Sequence, residues 1–247
     1  MTVDANNASP QSEDRLSASY ARWRSSRLGR ITDRLEQQLI LKLVGAVSGK
    51  TLLDVGCGDG ELASQLARRG AIATGLDADP AMIAAARQRV DSAGTQLNLI
   101  EGQAEKLPFG DASFDAVLAV TVLCFVDDAQ RAINEMARVL KPGGRLVIGE
   151  LGRWSLWAAY RRMRGWLGHT TWREAMFRTA GELHDLIRSA GLTVIETRGA
   201  AYYPPCGAAA GLMAPIDPWL GRKTTLGAAF VAVSAGKRID MIGTSAQ

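Results

Sequence analysis

The sequence contains few cysteines and no long apolar run. Its 247 residues include Cys57, Cys124 and Cys206, which are far apart and form neither a CxxC pair nor a cluster with histidine. An odd number at this spacing predicts reduced thiols and argues against a disulfide framework and against a metal site. The longest apolar stretch, 116–126, includes Thr121 and is much shorter than the roughly 20 residues that cross a bilayer. No transmembrane helix is therefore expected.

The N-terminal segment also lacks the features of a secretory signal. MTVDANNASPQSED is polar and acidic and has no apolar core. A cytoplasmic location is the expectation that follows. With 47% hydrophobic and 22% charged residues, the chain has the composition of a globular protein, and its length suits one α/β domain.

The net charge of +4 is unevenly distributed along the chain. Residues 15–50 contain eight basic side chains against Asp33 and Glu36, and residues 151–180 contain six arginines against Glu174. Such segments are typical of a site for an anionic substrate or of contact with a phospholipid surface, but two solvated amphipathic helices would have the same composition. Because no nucleic-acid-binding motif is present, a nucleic-acid partner is not predicted.

The apolar pattern predicts a single domain, 15–247, after a disordered tail. Between Leu16 and Val47, apolar residues recur every three or four positions, which indicates an amphipathic helix that Gly29 and Gly45 are expected to interrupt. Within the domain, the predicted regions are an N-terminal helical cap (15–49), a core (50–150), an insert rich in tryptophan and arginine (151–180) and a C-terminal completion of the sheet (181–247), while the tail is 1–14.

Apolar runs and helical patterns alternate after residue 50, which is typical of a parallel sheet covered by helices on both faces. The predicted strands are 51–55, 71–77, 96–101, 114–120, 144–150, 192–199 and 226–236. The predicted helices of this part are 61–69, 80–93, 128–140 and 180–190. The stretch 202–221, rich in proline, glycine and alanine, is predicted to be a loop.

A glycine-rich turn, LLDVGCGDG (52–60), follows the first predicted strand and precedes a helix. This is a nucleotide-binding arrangement, in which glycine lets a ligand approach the backbone closely. A dinucleotide fingerprint requires a third glycine at position 61, where this chain has Glu61. A P-loop is excluded because no GKS or GKT follows. The spacing therefore disfavours both a dinucleotide and a nucleoside triphosphate as the ligand.

An acidic residue ends the second predicted strand. Asp77, in GLDADP, lies 17 positions after Gly60, where a carboxylate can accept the hydrogens of both hydroxyl groups of an adenosine ribose. A turn or helix-capping aspartate is the other interpretation, although Asp79 before Pro80 would fill that role equally well. Given the glycine turn, the ribose role is favoured.

Four segments in order resemble the class I S-adenosylmethionine-dependent methyltransferases, in the branch of small-molecule and quinone C-methyltransferases. They are LLDVGCGDG, GLDADPAMIAAAR, EGQAEKLPFGDASFDAVLAV and EMARVLKPGGRLVIGE. The resemblance covers about residues 50–150. It implies a Rossmann-like, doubly wound, seven-stranded and mostly parallel sheet with an antiparallel last strand, with the helical N-terminal segment and a helical insert forming a cap. S-adenosylmethionine is the implied cofactor, and S-adenosylhomocysteine the product.

The resemblance also implies roles for individual residues. The expected cofactor contacts are Asp54 near the amino group; Gly56, Cys57, Gly58 and Gly60 in the turn; Asp77 at the ribose; Ala78, Met82, Gln103, Ala104 and Glu105 near the adenine; and Thr121 facing the sulfonium. Gln103 departs from the aspartate of many relatives, and its amide can still accept from the adenine amino group. TVLCFVDD replaces a histidine-containing loop, so no general base is evident.

Methyl transfer from a sulfonium is an in-line displacement on an activated carbon, so positioning and exclusion of water matter most. No catalytic residue is assigned from the sequence. The candidates are Tyr20, Thr121, Cys124, His169 and Tyr202. Tyr203 and His184 are also considered, with a structural role favoured for His184 because it lies in the helical pattern ELHDLIR.

The acceptor is expected to be a small apolar or aromatic molecule, including a lipid-like one. Four of the six tryptophans lie in the insert among arginines, a composition that suits an aromatic pocket wall or a membrane-surface helix. Alternatives left open are a cofactor-binding module without turnover and an arsenic-type acceptor held by three cysteines. A nicotinamide enzyme is disfavoured by Glu61, and oligomeric state is not predicted.

Overall fold

The computed structural model describes residues 22–168, 172–173 and 175–239. The strands are β1 (Thr51–Val55), β2 (Ile72–Asp77), β3 (Asn98–Glu101), β4 (Phe114–Val120), β5 (Leu140–Leu151), β6 (Leu192–Ala200) and β7 (Phe230–Lys237). The helices are α1 (Arg27–Val44), α2 (Glu61–Arg68), α3 (Pro80–Ala93), α4 (Ala129–Val139), α5 (Leu156–Trp166), α6 (Ala180–Ser189), α7 (Gly207–Met213) and α8 (Asp217–Lys223). The predicted tail, 1–14, lies outside the described residues.

The seven strands form one sheet in the order β3-β2-β1-β4-β5-β7-β6. All neighbouring strands from β3 to β5 are parallel, whereas β7 is antiparallel to both β5 and β6. The chain therefore winds outward from β1 in both directions, and the carboxyl ends of six strands meet at one edge. This architecture confirms the predicted doubly wound, seven-stranded fold.

Helices cover both faces of the sheet. On one face, the core contains side chains of α4 and α6, among them Ile133 and Ile187. On the other, side chains of α1 and α2 such as Ile40 and Leu66 pack on the sheet. Because β1 is covered on both faces, its residues 52–55 are all buried, which explains why this strand is apolar apart from Asp54.

The helix ends follow local capping signals. The Asp79 side chain accepts the Ala81 amide at the start of α3, and Thr179 and Glu182 form a capping box at the start of α6. The expected interruption at Gly29 is wrong: the helical chain is interrupted at Ser26, whose hydroxyl accepts the Gly29 amide and caps α1. Gly45, with φ 78°, ends α1 as expected.

The predicted loop 202–221 instead contains the short helices α7 and α8. Its glycine and proline content suggested irregular backbone, but tertiary contacts stabilise the helices. Ala210 is fully buried, and the buried Asp217 carboxylate accepts the amides of Ala201 and Tyr202 at 3.0 and 2.9 Å. No helix in the described ranges is both long and apolar enough to cross a membrane.

Candidate active site

A cavity of about 370 Å³ opens at the carboxyl ends of β1, β2 and β4. This edge is where open α/β sheets bind their ligands, and the volume lies within the usual range for small-molecule sites. The lining segments are 55–56, 76–78, 102–105, 121–122 and 125–127.

The glycine turn closes one side of this cavity in a conformation that favours glycine. Gly56 and Gly58 have φ of 67° and 54°, which other residues rarely adopt. A Cβ on Gly56 would lie 2.4 Å from Cγ2 of Val122, whereas a Cβ on Gly58 would meet no atom within 4 Å. Gly56 therefore lets the loop after β4 approach, and Gly58 leaves its backbone accessible.

Asp77 is held firmly on the wall of the cavity. Its Oδ2 accepts the Gly58 amide at 2.7 Å and its Oδ1 accepts the Asp79 amide at 3.0 Å. Burial raises the pKa of this carboxyl, while the two amides act in the opposite direction. Each oxygen keeps acceptor capacity beyond its one amide, so the carboxylate can receive a pair of neighbouring hydroxyl groups.

The charges around the cavity favour a cationic ligand. Asp77, Glu105 and Asp127 contribute carboxylates, and within the described residues no lysine or arginine lines the cavity. A phosphate group would find like charge there. S-adenosylmethionine carries a positive sulfonium and a vicinal ribose diol, and therefore fits this set of side chains.

Asp54 lies behind the cavity wall and does not line it. The side chain is 2% exposed, and burial, followed by the nearby charge of Asp77, raises its pKa to about 7. The Ala63 amide in the first turn of α2 is its hydrogen-bond donor. In the structure, Asp54 thus supports the turn and the start of α2.

The expected cofactor residues divide into two groups. Gly56, Asp77, Ala78, Gln103, Ala104, Glu105 and Thr121 line the cavity. Asp54, Cys57, Gly58, Gly60 and Met82 do not, although Gly58 bonds to Asp77 and Cys57 packs beneath the turn, where its Sγ would lie 2.8 Å from a Cβ on Gly75. The motifs did not assign a cofactor role to four further lining residues, Val122, Phe125, Val126 and Asp127. Their position just after a parallel strand could have indicated that they lie at the ligand-binding edge of the sheet.

The catalytic candidates have different surroundings. Thr121 lines the cavity with φ 59°, a conformation that a β-branched residue adopts only when its surroundings impose it. Cys124 is 1% exposed, and burial holds the pKa of its thiol well above the usual value, so it stays protonated. The Tyr202 hydroxyl donates to the Thr224 carbonyl, and burial raises its pKa to about 12. Tyr20 and His169 lie outside the described residues.

Aromatic residues from three distant segments meet beside this edge. The rings of Trp23 and Trp157 lie edge to face at 6.4 Å, and Trp157 and Tyr203 at 6.5 Å. Trp157 Nε1 donates to the Tyr203 carbonyl, and the Tyr203 hydroxyl pairs with Thr32 Oγ1, both at 2.9 Å. We call the three contributing segments, 22–44, 152–168 and 201–213, the cap. His184 lies elsewhere and bonds to Thr197.

An arginine joins the cap to the glycine turn. Arg24 contacts Asp33 at 3.2 Å and Asp59 at 3.1 Å, so it links α1 to the turn that carries Gly58. Arg89 from α3 contacts Asp59 from another side. The position of the cap and that of the cofactor turn are therefore coupled through one carboxylate.

The three cysteines lie in different surroundings. Cys57 is buried in the glycine turn, Cys124 packs with Leu151 and Phe177, and Cys206 is exposed at the start of α7. Within the described residues, no group of three or more histidine, cysteine or acidic side chains could hold a metal ion. The arsenic-type alternative therefore finds no support in the arrangement.

Comparisons with known proteins agree with this geometry. Residues 53–148 match the family described as methyltransferase domain. A ubiquinone biosynthesis O-methyltransferase of Cereibacter sphaeroides is 34% identical over 186 residues, covering 72% of this chain and 75% of the relative. An uncharacterized protein of Mycobacterium tuberculosis is 33% identical over 95% of this chain and 77% of the relative.

A solved structure extends the likeness to almost the whole chain. The protein from Thermotoga maritima, described as a SAM-dependent methyltransferase and possible histamine N-methyltransferase, superposes with a TM-score of 0.70 at 27% identity and covers 91% of this chain and 97% of its own. The family and the fold imply that the cofactor of this chain is S-adenosylmethionine. Fold, cavity and relatives together show that the chain belongs to the class I S-adenosylmethionine-dependent methyltransferases.

Proposed function

We propose that the protein methylates a small apolar or aromatic acceptor, bound between the cofactor cavity and the cap. The observation that carries this proposal is the apolar part of the cavity wall. Val122, Phe125 and Val126 line the cavity beside its carboxylates, and Phe125 is 51% exposed. Aromatic rings are well suited to bind flat or apolar molecules.

The path from the cap to the cavity is short. The Thr121 amide donates to the Gly149 carbonyl at 2.7 Å, and a Cβ on Gly149 would lie 3.0 Å from the Ile40 side chain of α1. The end of β5 therefore lies between Thr121 and the Ile40 side chain of α1. An acceptor held under the cap would face the sulfonium end of the cofactor.

The individual roles follow from this arrangement. Asp77 would accept the two ribose hydroxyl groups, and 102–105 would contact the adenine. S-adenosylmethionine supplies a methyl group already activated for displacement. The chain's own contribution is to orient the acceptor and to exclude water from the cavity, which accounts for much of the rate in such reactions.

The test is an acceptor screen with a labelled methyl donor. The protein is incubated with fractionated metabolite extracts and isotopically labelled S-adenosylmethionine, and products are identified by mass spectrometry. We expect label in an apolar or aromatic product, and none with the Asp77→Ala variant. Label only in strongly charged, nonaromatic products would contradict the acceptor class, and binding of NAD without S-adenosylmethionine would contradict the cofactor site.

We further propose that α5 brings the protein to an anionic lipid surface, from which an apolar acceptor can be taken. Leu156, Tyr160, Met163, Trp166 and Leu167 form an exposed stripe along this helix, with Trp166 88% and Leu167 79% exposed. Large exposed apolar side chains on one helix face are typical of interfacial helices.

Charge supports a lipid surface as the occupant of this stripe. From 151 to 168 the chain carries four arginines and no acidic residue. Within the described part of the chain, Arg162 lies over Phe177 and Arg164 over Tyr160, so their cations flank the stripe. Basic residues beside an apolar face are attracted to anionic headgroups.

Vesicle binding tests this contact. We expect sedimentation with phosphatidylcholine vesicles only when phosphatidylserine is included, weakened by salt. Replacement of Arg162 and Arg164 by glutamine should weaken binding roughly thirtyfold, because each basic residue at such a surface contributes about 1 kcal/mol. The matched control replaces Arg87 and Arg188, which are exposed on α3 and α6. Equal loss in both double variants, or no binding by the intact protein, would refute the contact.

A further inference from the structure

The loop 121–126, which we call the β4 loop, forms one wall of the cavity. Thr121, Val122, Phe125 and Val126 all line it. The loop has no regular secondary structure of its own, and Val122 presses against the glycine turn at Gly56. One internal bond, from the Phe125 amide to the Val122 carbonyl at 2.9 Å, closes a turn within the loop. The rest of its shape is set by groups outside it.

Glu150 is the main group that holds this loop. Its Oε1 accepts the amides of Val122 at 3.1 Å and Leu123 at 2.7 Å. The side chain is fully buried, and its other oxygen, Oε2, has no hydrogen-bond partner in the described part of the chain. A buried carboxylate is costly unless its hydrogen bonds repay the loss of water, and here the two loop amides supply such bonds, which an apolar side chain could not accept.

Arg178, at the end of the insert, binds the carbonyl of Leu123, the residue whose amide Glu150 accepts. Its Nη1 donates to the Leu123 carbonyl, and its own amide donates to Leu151 next to Glu150. The Met176 amide donates to the Cys124 carbonyl at 2.9 Å. The β4 loop is thus bonded to β5 on one side and to the insert on the other.

The charged groups facing Glu150 come from both of these neighbours. Burial raises the pKa of its carboxyl to about 7, while the Leu123 amide and then the positive charge of Arg178 act in the opposite direction. The Cys124 thiol interacts with the same carboxyl group. Since Glu150 is fully buried and does not line the cavity, it can influence the cavity through the loop that it holds.

We propose that Glu150 is a positioning residue for methyl transfer: through the amides of Val122 and Leu123 it fixes the β4 loop against the glycine turn, and with Arg178 it transmits the position of the insert to the cofactor cavity. The proposal rests on the cofactor site of the proposed function. It also accounts for the left-handed conformation of Thr121, which persists because the neighbouring residues are held on both sides.

Three substitutions of Glu150 separate the effect of side-chain length from the effect of its negative charge. Glu150→Ala removes both acceptor bonds. Glu150→Gln keeps an oxygen at the same distance from the two amides but removes the charge. Glu150→Asp keeps the charge but shortens the side chain by one methylene, so the oxygen no longer reaches both amides. Ile148→Ala is the control for packing loss, because Ile148 is equally buried two residues earlier on the same strand.

The readouts are the affinity for S-adenosylhomocysteine by calorimetry and the exchange rates of the Val122 and Leu123 amides by NMR. For Glu150→Ala and Glu150→Asp we expect about tenfold weaker binding and at least tenfold faster exchange at these two amides, since bonds to a charged acceptor are lost. Glu150→Gln should stay within about threefold of the wild type, since each amide keeps an acceptor. Ile148→Ala should leave the affinity near the wild-type value, and it should not speed exchange at the Val122 and Leu123 amides more than at other amides.

Each outcome decides the proposal. Equal effects of Glu150→Asp and Ile148→Ala, or a Glu150→Gln variant as impaired as Glu150→Asp, would overturn it. If Glu150→Ala does not fold, the comparison of aspartate with glutamine remains. If the wild-type protein does not bind S-adenosylhomocysteine, the cofactor site is wrong, and the amide exchange rates still show whether Glu150 holds the loop.

Discussion

The cofactor side of the site and the cap beside it are built from different contacts. Around the cavity, backbone amides bind carboxylates over short distances, as Gly58 and Asp79 do with Asp77. In the cap, the rings of Trp23, Trp157 and Tyr203 make contacts between segments that are far apart in the chain. The first kind of contact fixes atoms precisely and tolerates few changes. The second provides apolar surface and depends on packing.

This contrast predicts that the largest stability loss comes from the cap. Trp157→Ala should lower the free energy of unfolding by about 3 to 5 kcal/mol, because the ring is 4% exposed and its Nε1 bonds to Tyr203. Affinity for S-adenosylhomocysteine should remain near wild type. Urea denaturation and calorimetry measure the two quantities, with Trp154→Ala, a 64% exposed ring, as the control expected to change little. A large loss of cofactor affinity in Trp157→Ala would break the contrast.

Buried carboxyls predict a pH effect that originates outside the aromatic cluster. Burial raises the pKa of Asp54 from 3.8 to about 7, so the folded state binds a proton more tightly than the unfolded state does. Stability should therefore fall as pH rises from about 4 to about 7 and then level off, and this group should contribute a loss on the order of 4 kcal/mol. Denaturation across this range measures it. Asp54→Asn should make the profile shallower but not flat, because burial also raises the pKa of Glu150 to about 7. An unchanged slope would show that Asp54 does not contribute.

Asp77→Ala tests the cofactor side, where backbone amides bind a carboxylate. Loss of the carboxylate should weaken S-adenosylhomocysteine binding by about 2 to 3 kcal/mol, as expected for charge-assisted bonds. It should also lower stability by about 1 to 2 kcal/mol, because the amides of Gly58 and Asp79 lose their acceptor. Asp79→Ala is the control, since Asp79 caps α3 and its loss should lower stability by about 1 kcal/mol with a smaller effect on binding. Unchanged affinity in Asp77→Ala would remove the ribose role.

The smallest effect is expected where the two regions meet. Arg24→Ala breaks partly buried contacts with Asp33 and Asp59 and should cost up to about 1 kcal/mol in both stability and cofactor affinity. The control, Arg68→Ala, loses a more exposed contact with Glu61 at 3.8 Å and should have no measurable effect. An effect confined to stability would mean that the cap and the glycine turn are not coupled.

The strands and helices around the cavity could be predicted from the sequence because they depend on local signals. Glycine spacing, the acidic residue at the end of β2 and the N-terminal capping of α3 by Asp79 are all short-range features. The elements β1, β4 and α3 begin and end at the residues that the apolar pattern predicted. The fold class followed because alternating strands and helices leave few topologies.

The cap and the β4 loop were less accessible to prediction. Trp157 is separated from Trp23 and Tyr203 by long stretches of chain, and no periodic pattern reports such a meeting. α7 and α8 depend on the burial of Ala210 and Asp217, which overrides weak local propensity. Glu150 was quoted only as the last residue of a motif, since its two loop amides lie 27 and 28 positions earlier.

The antiparallel course of β7 has an evolutionary consequence. Because β5 and β6 end, and β7 begins, at the same edge of the sheet, the segments 152–179 and 201–229 emerge side by side from strands that the cofactor cavity does not use. Under the proposed function, exchange of these two segments should change which molecule is methylated, and the donor half should be preserved if Arg178, which bonds to the β4 loop, is kept. Chimeras that exchange both segments between relatives are the natural way to redirect such an enzyme.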